Sequence, residues 1–180
     1  LSFFKKNIIT VGIDPLVNKY KKFYKKINHK ISNFFQIKDI KKLNLKKKFK
    51  IISAFSVFYD LKSPNNFIKG VKSILDKEGI FVLEHADLLS IIKNNLFDTI
   101  CHEHIEYYST KVIIEMMNRN RLKVFDHEFN SINGGSSRYY ICHQKANYKM
   151  KQKKINSLLL KENKIGLHSK KILKDFLKKY

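Results

Sequence analysis

Two β-branched runs separated by one amphipathic stretch constrain this chain more than any other feature. Phe49-Lys50-Ile51-Ile52-Ser53-Ala54-Phe55 and Ile80-Phe81-Val82-Leu83-Glu84 both read as buried strands. Between them, Pro64 opens a helix at a favoured first-turn position. Phe67, Val71, Ile74 and Leu75 give that helix one apolar face, and Gly79 is expected to stop it. Strand, helix and strand in this order form the crossover of a parallel sheet.

The same alternation extends to both sides. Asn7 to Asp14 is a short apolar run ending in an acid before Pro15, and it reads as another buried parallel strand. Val17 to Ile27 carries Tyr20, Phe23, Tyr24 and Ile27 on one stripe and reads as a helix, with a further short strand over Lys30 to Phe35. Leu88 to Asn94 reads as a short helix. Ser109 or Thr110 caps the next one, whose buried side is Val112, Ile113, Met116 and Met117. Leu122 to Phe129 and Ser137 to His143 read as strands with no room for a helix between them, so they are expected to pair antiparallel. The fold class is therefore α/β: a mostly parallel, Rossmann-like sheet with a terminal antiparallel strand and helices on both faces. Residues 1–145 are expected to form this domain. From about Lys151 a lysine-rich stretch with Ile165, Ile172, Leu173, Phe176 and Leu177 on one stripe marks residues 146–180 as a helical tail.

Composition narrows the functional classes. The 180 residues include 14 Phe and are 43% hydrophobic, which excludes a disordered chain. No apolar run approaches the ~18 residues of a membrane span, so no membrane association is expected. The two cysteines, Cys101 and Cys142, form no CxxC pair and fit a reducing, cytoplasmic setting. A net charge of +22 invites a nucleic-acid partner. However, the basic residues are nearly all Lys, with Arg only at positions 119, 121 and 138. Arg is the residue suited to bidentate phosphate and base recognition, so nucleic acid is the less favoured reading.

In a doubly wound sheet, ligands bind beyond the carboxyl ends of the strands. Asp14 ends the first strand, where its carboxylate could accept ribose hydroxyls or simply close a turn before Pro15. Ser53 to Ser56 and Glu84-His85 end the next two. Directly after them comes Cys101-His102-Glu103-His104-Ile105-Glu106-Tyr107-Tyr108-Ser109, a dense run of groups that exchange protons near neutral pH. If that run is extended, His102 and His104 share one face, and Cys101 and Glu103 the other. Metal binding, a structural polar loop and acid/base catalysis all use such residues. The spacing is not HExxH, and acid/base chemistry is favoured with no metal. Asn133-Gly134-Gly135-Ser136 followed by Arg138 is the second candidate: a hairpin turn, a glycine platform for a ligand, or both, with Arg138 suited to phosphate.

Four segments, in order, resemble one family. They are Val11-Gly12-Ile13-Asp14-Pro15, Phe58-Tyr59-Asp60-Leu61-Lys62-Ser63-Pro64, Phe97 to His104 with Tyr107-Tyr108-Ser109, and Asn133-Gly134-Gly135-Ser136. The chain resembles S-adenosylmethionine-dependent C-methyltransferases that act on nucleotide-linked deoxysugars, over about residues 8 to 145. The resemblance implies a class I methyltransferase sheet with S-adenosylmethionine as cofactor. Asp14 would hold the ribose, Asn33 and Phe34 would lie near the adenine, and Ala54 and Ser56 would line the methionine end. His104, supported by Glu103, would remove a proton beside the sugar's keto group. Asp60, Cys101, Tyr108, Asn133, Gly134, Gly135, Ser136 and Arg138 would contact the substrate. The family often has Tyr in place of Cys101, His in place of Asp60 and an acid in place of Asn33. It also carries a cysteine-rich zinc module and a glycine-rich loop upstream, and a further α/β domain downstream. The resemblance therefore implies the middle of such an enzyme, with a complementing chain as a possible partner. An inactive fragment and a basic nucleic-acid-binding module are the alternatives.

Overall fold

A computed structural model describes residues 7–179. The chain divides into two compact units, one up to Lys47 and one from Lys48 onward.

The first unit is small. Its two strands, β1 (Val11–Ile13) and β2 (His29–Ile31), pair in parallel, with Gly12 opposite Lys30. Both are shorter than the apolar runs that contain them. Thr10 and Asn28 close the pair, since the Asn28 amide oxygen accepts from both the backbone and the hydroxyl of Thr10. The helix expected over Val17 to Ile27 does not form. Only a 3-10 turn, Lys21–Tyr24, lies there, and none of its residues is buried. The cause is local: no side chain caps its start, no acid sits in its first turn, and Lys21/Lys25 and Lys22/Lys26 repel at i,i+4. Helix α1 (Ile37–Lys41) follows and buries Ile40.

The second unit contains the expected crossover. Strand β3 (Phe49–Phe55) leads through α2 (Pro64–Ile74) into β4 (Leu75–Ala86), which pairs with β3 in parallel. Gly79 does not stop α2. The helix ends at Ile74, and Gly79 lies inside β4 beside the register shift between Phe49 and Ile51. There a Cβ would lie 2.8 Å from the Phe49 carbonyl oxygen, so the residue permits close strand approach. Helices α3 (Leu88–Asn94) and α4 (Thr110–Arg119) lead to β5 (Leu122–Asn130) and β6 (Ser136–His143). The sheet order is β3-β4-β6-β5, and β6 runs antiparallel to both neighbours. Three strands therefore share one direction and the last strand alone reverses, as the missing crossover helix requires. Strand β3 lies at the sheet edge and is mostly exposed rather than buried, with Ala54 its one buried residue.

Phe58, Ile68, Val71, Leu75, Phe81, Leu83, Ile113, Met117, Leu122, Tyr139 and Ile141 build the core, each wholly removed from solvent. Burial of each large apolar side chain contributes about 1.5–3 kcal/mol. The tail forms two helices, α5 (Gln152–Lys164) and α6 (Lys170–Leu177), rather than one, separated by a turn at Gly166. Both pack within the second unit. Ile155 is buried, and Leu167 and Phe176 join Ile91 and Ile92 of α3 in one cluster. The division between compact units thus falls at Lys47 and not near residue 145.

Candidate active site

The carboxyl ends of β3, β4 and β5 and the start of β6 lie at one end of the four-stranded sheet. Ser56 follows β3 with φ 52°, and its backbone N–H donates to the Glu84 carbonyl at 3.0 Å. This kink delivers the 3-10 turn Phe58–Asp60 to the sheet end, with Phe58 and Tyr59 buried and Asp60 exposed.

Tyr59 is where the predicted residues meet. Its backbone carbonyl accepts from the N–H groups of Ile105 and Glu106, at 3.0 and 3.1 Å, and so fixes the loop that follows Cys101. Its ring packs on His104 with centroids 4.3 Å apart. Burial raises its hydroxyl pKa, opposed by a hydrogen bond from the Ser56 side chain, with the charges of Asp60 and Cys101 adding to the rise. Desolvation raises the Asp60 carboxyl, opposed by the charge of His104 and reinforced by Glu103. Ser56, Asp60, Cys101 and His104 are thereby gathered around one phenol, with the charge of Glu103 felt at Asp60.

The Cys101–Ser109 run is not extended. His104 N–H donates to the Cys101 carbonyl at 3.2 Å, closing a turn that leaves Cys101, His102 and Glu103 exposed. The shared face expected for His102 and His104 is absent. The imidazole Nδ1 of His104 lies 2.7 Å from the Thr99 carbonyl oxygen. A carbonyl only accepts, so Nδ1 carries the proton and Nε2 of the neutral ring keeps its lone pair. The orienting partner is thus a backbone carbonyl and not Glu103.

Tyr108 lies beneath this loop, buried against Phe58 and His85. Burial pushes its hydroxyl up to about 12. Burial likewise holds His85 neutral, and its Nδ1–H donates to the Ala86 carbonyl at 2.8 Å. Below them is a closed polar chain. Asp87 caps α3 by accepting from the backbone and hydroxyl of Ser90, and its other oxygen accepts from Ser137 at 2.9 Å. The Ser137 oxygen then accepts from His127 Nε2 at 3.0 Å, and burial lowers the His127 pKa to about 4, which keeps the ring neutral near pH 7.

The glycine turn is packed closed. Asn133 and Gly134 take positive φ, and Gly135 at φ 143° gives its carbonyl to Asp87 N–H. A Cβ at Gly134 would strike Leu96 and one at Gly135 would strike Ser90, so Gly135 serves contact with α3 and Gly134 contact with the residue just past its end. Ser136 is buried and its hydroxyl donates to the Ile132 carbonyl. Arg138 is not a free phosphate ligand: its Nε donates to buried Glu84 at 2.7 Å, Nη1 lies 3.6 Å from Glu128, and the guanidinium sits over Phe55.

In the first unit, Asp14 stands just past β1. One carboxylate oxygen accepts from Leu16 N–H at 2.6 Å and the other from the Tyr24 hydroxyl at 2.8 Å. Asn33 donates to Asp39 and caps Phe34 N–H, while the Phe34 ring is 73% exposed. Among the described residues, no group of three or more His, Cys, Asp or Glu side chains could hold a metal ion, and no helix is long and apolar enough to cross a membrane.

Residues 2–127 match a family described as a methyltransferase domain. The chain belongs to this family. It is 30% identical over 87 residues to C-methyltransferase NovU of Streptomyces niveus, a match covering 48% of this chain and 21% of that protein. The chain thus spans about a fifth of that curated relative's length. Its fold resembles a S-adenosylmethionine-dependent methyltransferase from Clostridium acetobutylicum, at 13% identity and TM-score 0.55, covering 76% of this chain and 75% of that one. It also resembles magnesium protoporphyrin IX methyltransferase from Synechocystis with bound SAH, at 12% identity and TM-score 0.53, covering 75% and 64%. These two likenesses establish a Rossmann-like methyltransferase sheet for this chain.

Sequence reasoning placed Thr99 and Tyr59 inside quoted segments without finding their roles, and it did not find Glu162, which has no motif. Asp87, just past a strand end and three residues before Ser90, carries a capping signal that could have been read.

Proposed function

We propose that this chain belongs to an enzyme that methylates the carbon beside the keto group of a nucleotide-linked deoxysugar, with S-adenosylmethionine as donor. The observation that carries the reading is the hydrogen bond from His104 Nδ1 to Thr99, which leaves Nε2 as a base of fixed tautomer at the carboxyl end of the sheet. Membership of the methyltransferase family and the partial match to a C-methyltransferase support it.

The residues fit the cofactor. A carboxylate offers about four acceptor sites. Asp14 uses two within its own unit and retains capacity for ribose hydroxyls. The exposed Phe34 ring beside Asn33 offers an apolar face to an adenine. When bound, S-adenosylmethionine supplies an electrophilic methyl group.

The chain's own part is proton removal. His104 Nε2 takes the proton from the sugar carbon, and the electron pair left behind spreads onto the keto oxygen. That carbon would be the nucleophile toward the methyl group the bound cofactor supplies; the methyl–sulfur bond would break as the new carbon–carbon bond forms, its electron pair staying on sulfur. Nδ1–H stays on the Thr99 carbonyl, and Asp60, whose charge couples to His104, offsets the imidazolium that forms. Glu103 adds negative charge at the same corner without touching the ring.

Replacing His104 with Ala in the native protein should lower methyl transfer to a nucleotide-linked keto sugar by about 10²–10⁴-fold. Calorimetric affinity for S-adenosylmethionine should remain unchanged. Undiminished turnover would reject the assignment.

A further inference from the structure

The tail helices do more than finish the fold, because they reach both ends of the loop that holds the candidate base. Glu162 of α5 is 1% exposed, and its two carboxylate oxygens accept from Thr110 N–H at 2.5 Å and Lys111 N–H at 3.2 Å. These are free donors of the first turn of α4, where a negative charge is favoured by the helix dipole. The residues just before that turn are Tyr107, Tyr108 and the cap Ser109, whose hydroxyl accepts from Val112 N–H. On the other side, Leu167 and Phe176 pack with Ile91 and Ile92, and Tyr107 and Leu96 lie against that cluster. The Phe97 and Phe176 rings are 5.9 Å apart.

These contacts converge on one atom. The Tyr107 hydroxyl donates to the Thr99 carbonyl oxygen at 3.2 Å, the same oxygen that accepts from His104 Nδ1. The Tyr107 ring stands edge-on to His104 at 6.1 Å, and the Tyr59 ring contacts the same imidazole at 4.3 Å.

We infer that Tyr107 and Glu162 are positioning residues, through which α5 and α6 hold the Thr99 carbonyl and so fix the tautomer and aim of His104. This rests on the assignment of His104 as the base. Tyr107 and Tyr59 flank the imidazole by ring contact, while Asp60 couples to it by charge. Nδ1 makes its hydrogen bond to the carbonyl, which thereby selects the tautomer.

The test uses Tyr107→Phe and Glu162→Gln in the native protein, with two readouts. Tyr107→Phe keeps the ring in its cluster and removes only the hydroxyl. In each variant, the ¹⁵N shifts of His104 should show loss of exclusive Nδ1 protonation. The kcat for methyl transfer should fall about tenfold, with acceptor KM within about twofold. A Tyr107→Phe protein with the original His104 tautomer and kcat overturns the inference, whether or not Glu162→Gln folds. The tautomer readout needs no turnover. If His104→Ala leaves methyl transfer intact, the base assignment fails while the positioning claim is still tested on its own.

Discussion

Two loops leave the same end of the four-stranded sheet, and they solve opposite problems. Residues 97–106 leave β4 by way of α3 and keep Cys101, His102 and Glu103 in solvent, with one imidazole pinned to a backbone carbonyl. Residues 131–135 join β5 to β6 and close down on α3, every interior contact satisfied by their own turn and by Asp87. Both are rich in residues that serve ligands elsewhere. The difference lies in what the polar groups have already spent. Arg138, beside the glycine turn, is committed to Glu84, whereas among the described residues no hydrogen bond engages His104 Nε2. Residue type nominates a site, and unspent hydrogen-bonding capacity distinguishes it from scaffold.

This contrast can be broken by substitution. Gly135→Ala should give the largest loss of stability, about 3 kcal/mol, because φ 143° is reserved for glycine and the new Cβ would lie 2.7 Å from Ser90 Cβ. The measurement is urea unfolding. His104→Ala, in the open loop, should stay within about 0.5 kcal/mol of the unsubstituted protein in the same experiment. Equal losses would erase the distinction between the loops.

A comparable effect should appear with pH beneath the closed loop. His127 binds its proton at about 4 when folded and near 6.5 when unfolded, because burial disfavours the imidazolium. Its contribution is fully present above pH 6.5 and is lost as pH falls from 6.5 to 4, where the unfolded chain holds more protons. The loss is about 3 kcal/mol. His127→Gln should flatten that part of the stability profile; His85, shifted in the same direction, keeps its own share. Asp126 acts in a lower window. Burial pushes it up, but hydrogen bonds from Lys151, Lys154 and His127 N–H bring it to about 2, so its contribution disappears only below its ordinary range near 3.8.

A smaller loss than that of Gly135→Ala concerns Arg138. Among the described residues, Arg138→Met leaves Glu84, 6% exposed, with only the Asn130 amide as a side-chain partner. A fully buried pair would cost 3–5 kcal/mol to break, but the Arg138 side chain is 32% exposed, so about 2 kcal/mol is expected. An Arg138→Met protein of unchanged stability that bound nucleotide-sugar more weakly would return Arg138 to the ligand side of the comparison.

The legible part of the fold was local. Phe49–Phe55 and Pro64–Ile74 were fixed by β-branched runs and a first-turn proline, and Ser109 by its capping position before an apolar stripe. The antiparallel pairing of β5 with β6 followed from the lack of space for a crossover. The failures were also local in origin: Val17 to Ile27 had the stripe of a helix, but neither a cap nor a balanced charge pattern to sustain it. Gly79 looked like a helix stop and is instead the point where β4 approaches β3.

Within the candidate site, the sequence by itself determined which groups were available. The density of proton-exchanging side chains at Cys101–Ser109 and their place after a strand are properties of adjacent residues. The tertiary structure decided which of them are free to act. It gave His104 its tautomer through Thr99, placed Asp60 beside it through Tyr59, and tied the loop to Glu162, 52 positions from Thr110. Such choices leave no periodic trace, because they depend on backbone carbonyls and on contacts between distant segments. A side chain's identity is written in one position, while its partners are set by the folding of the whole unit.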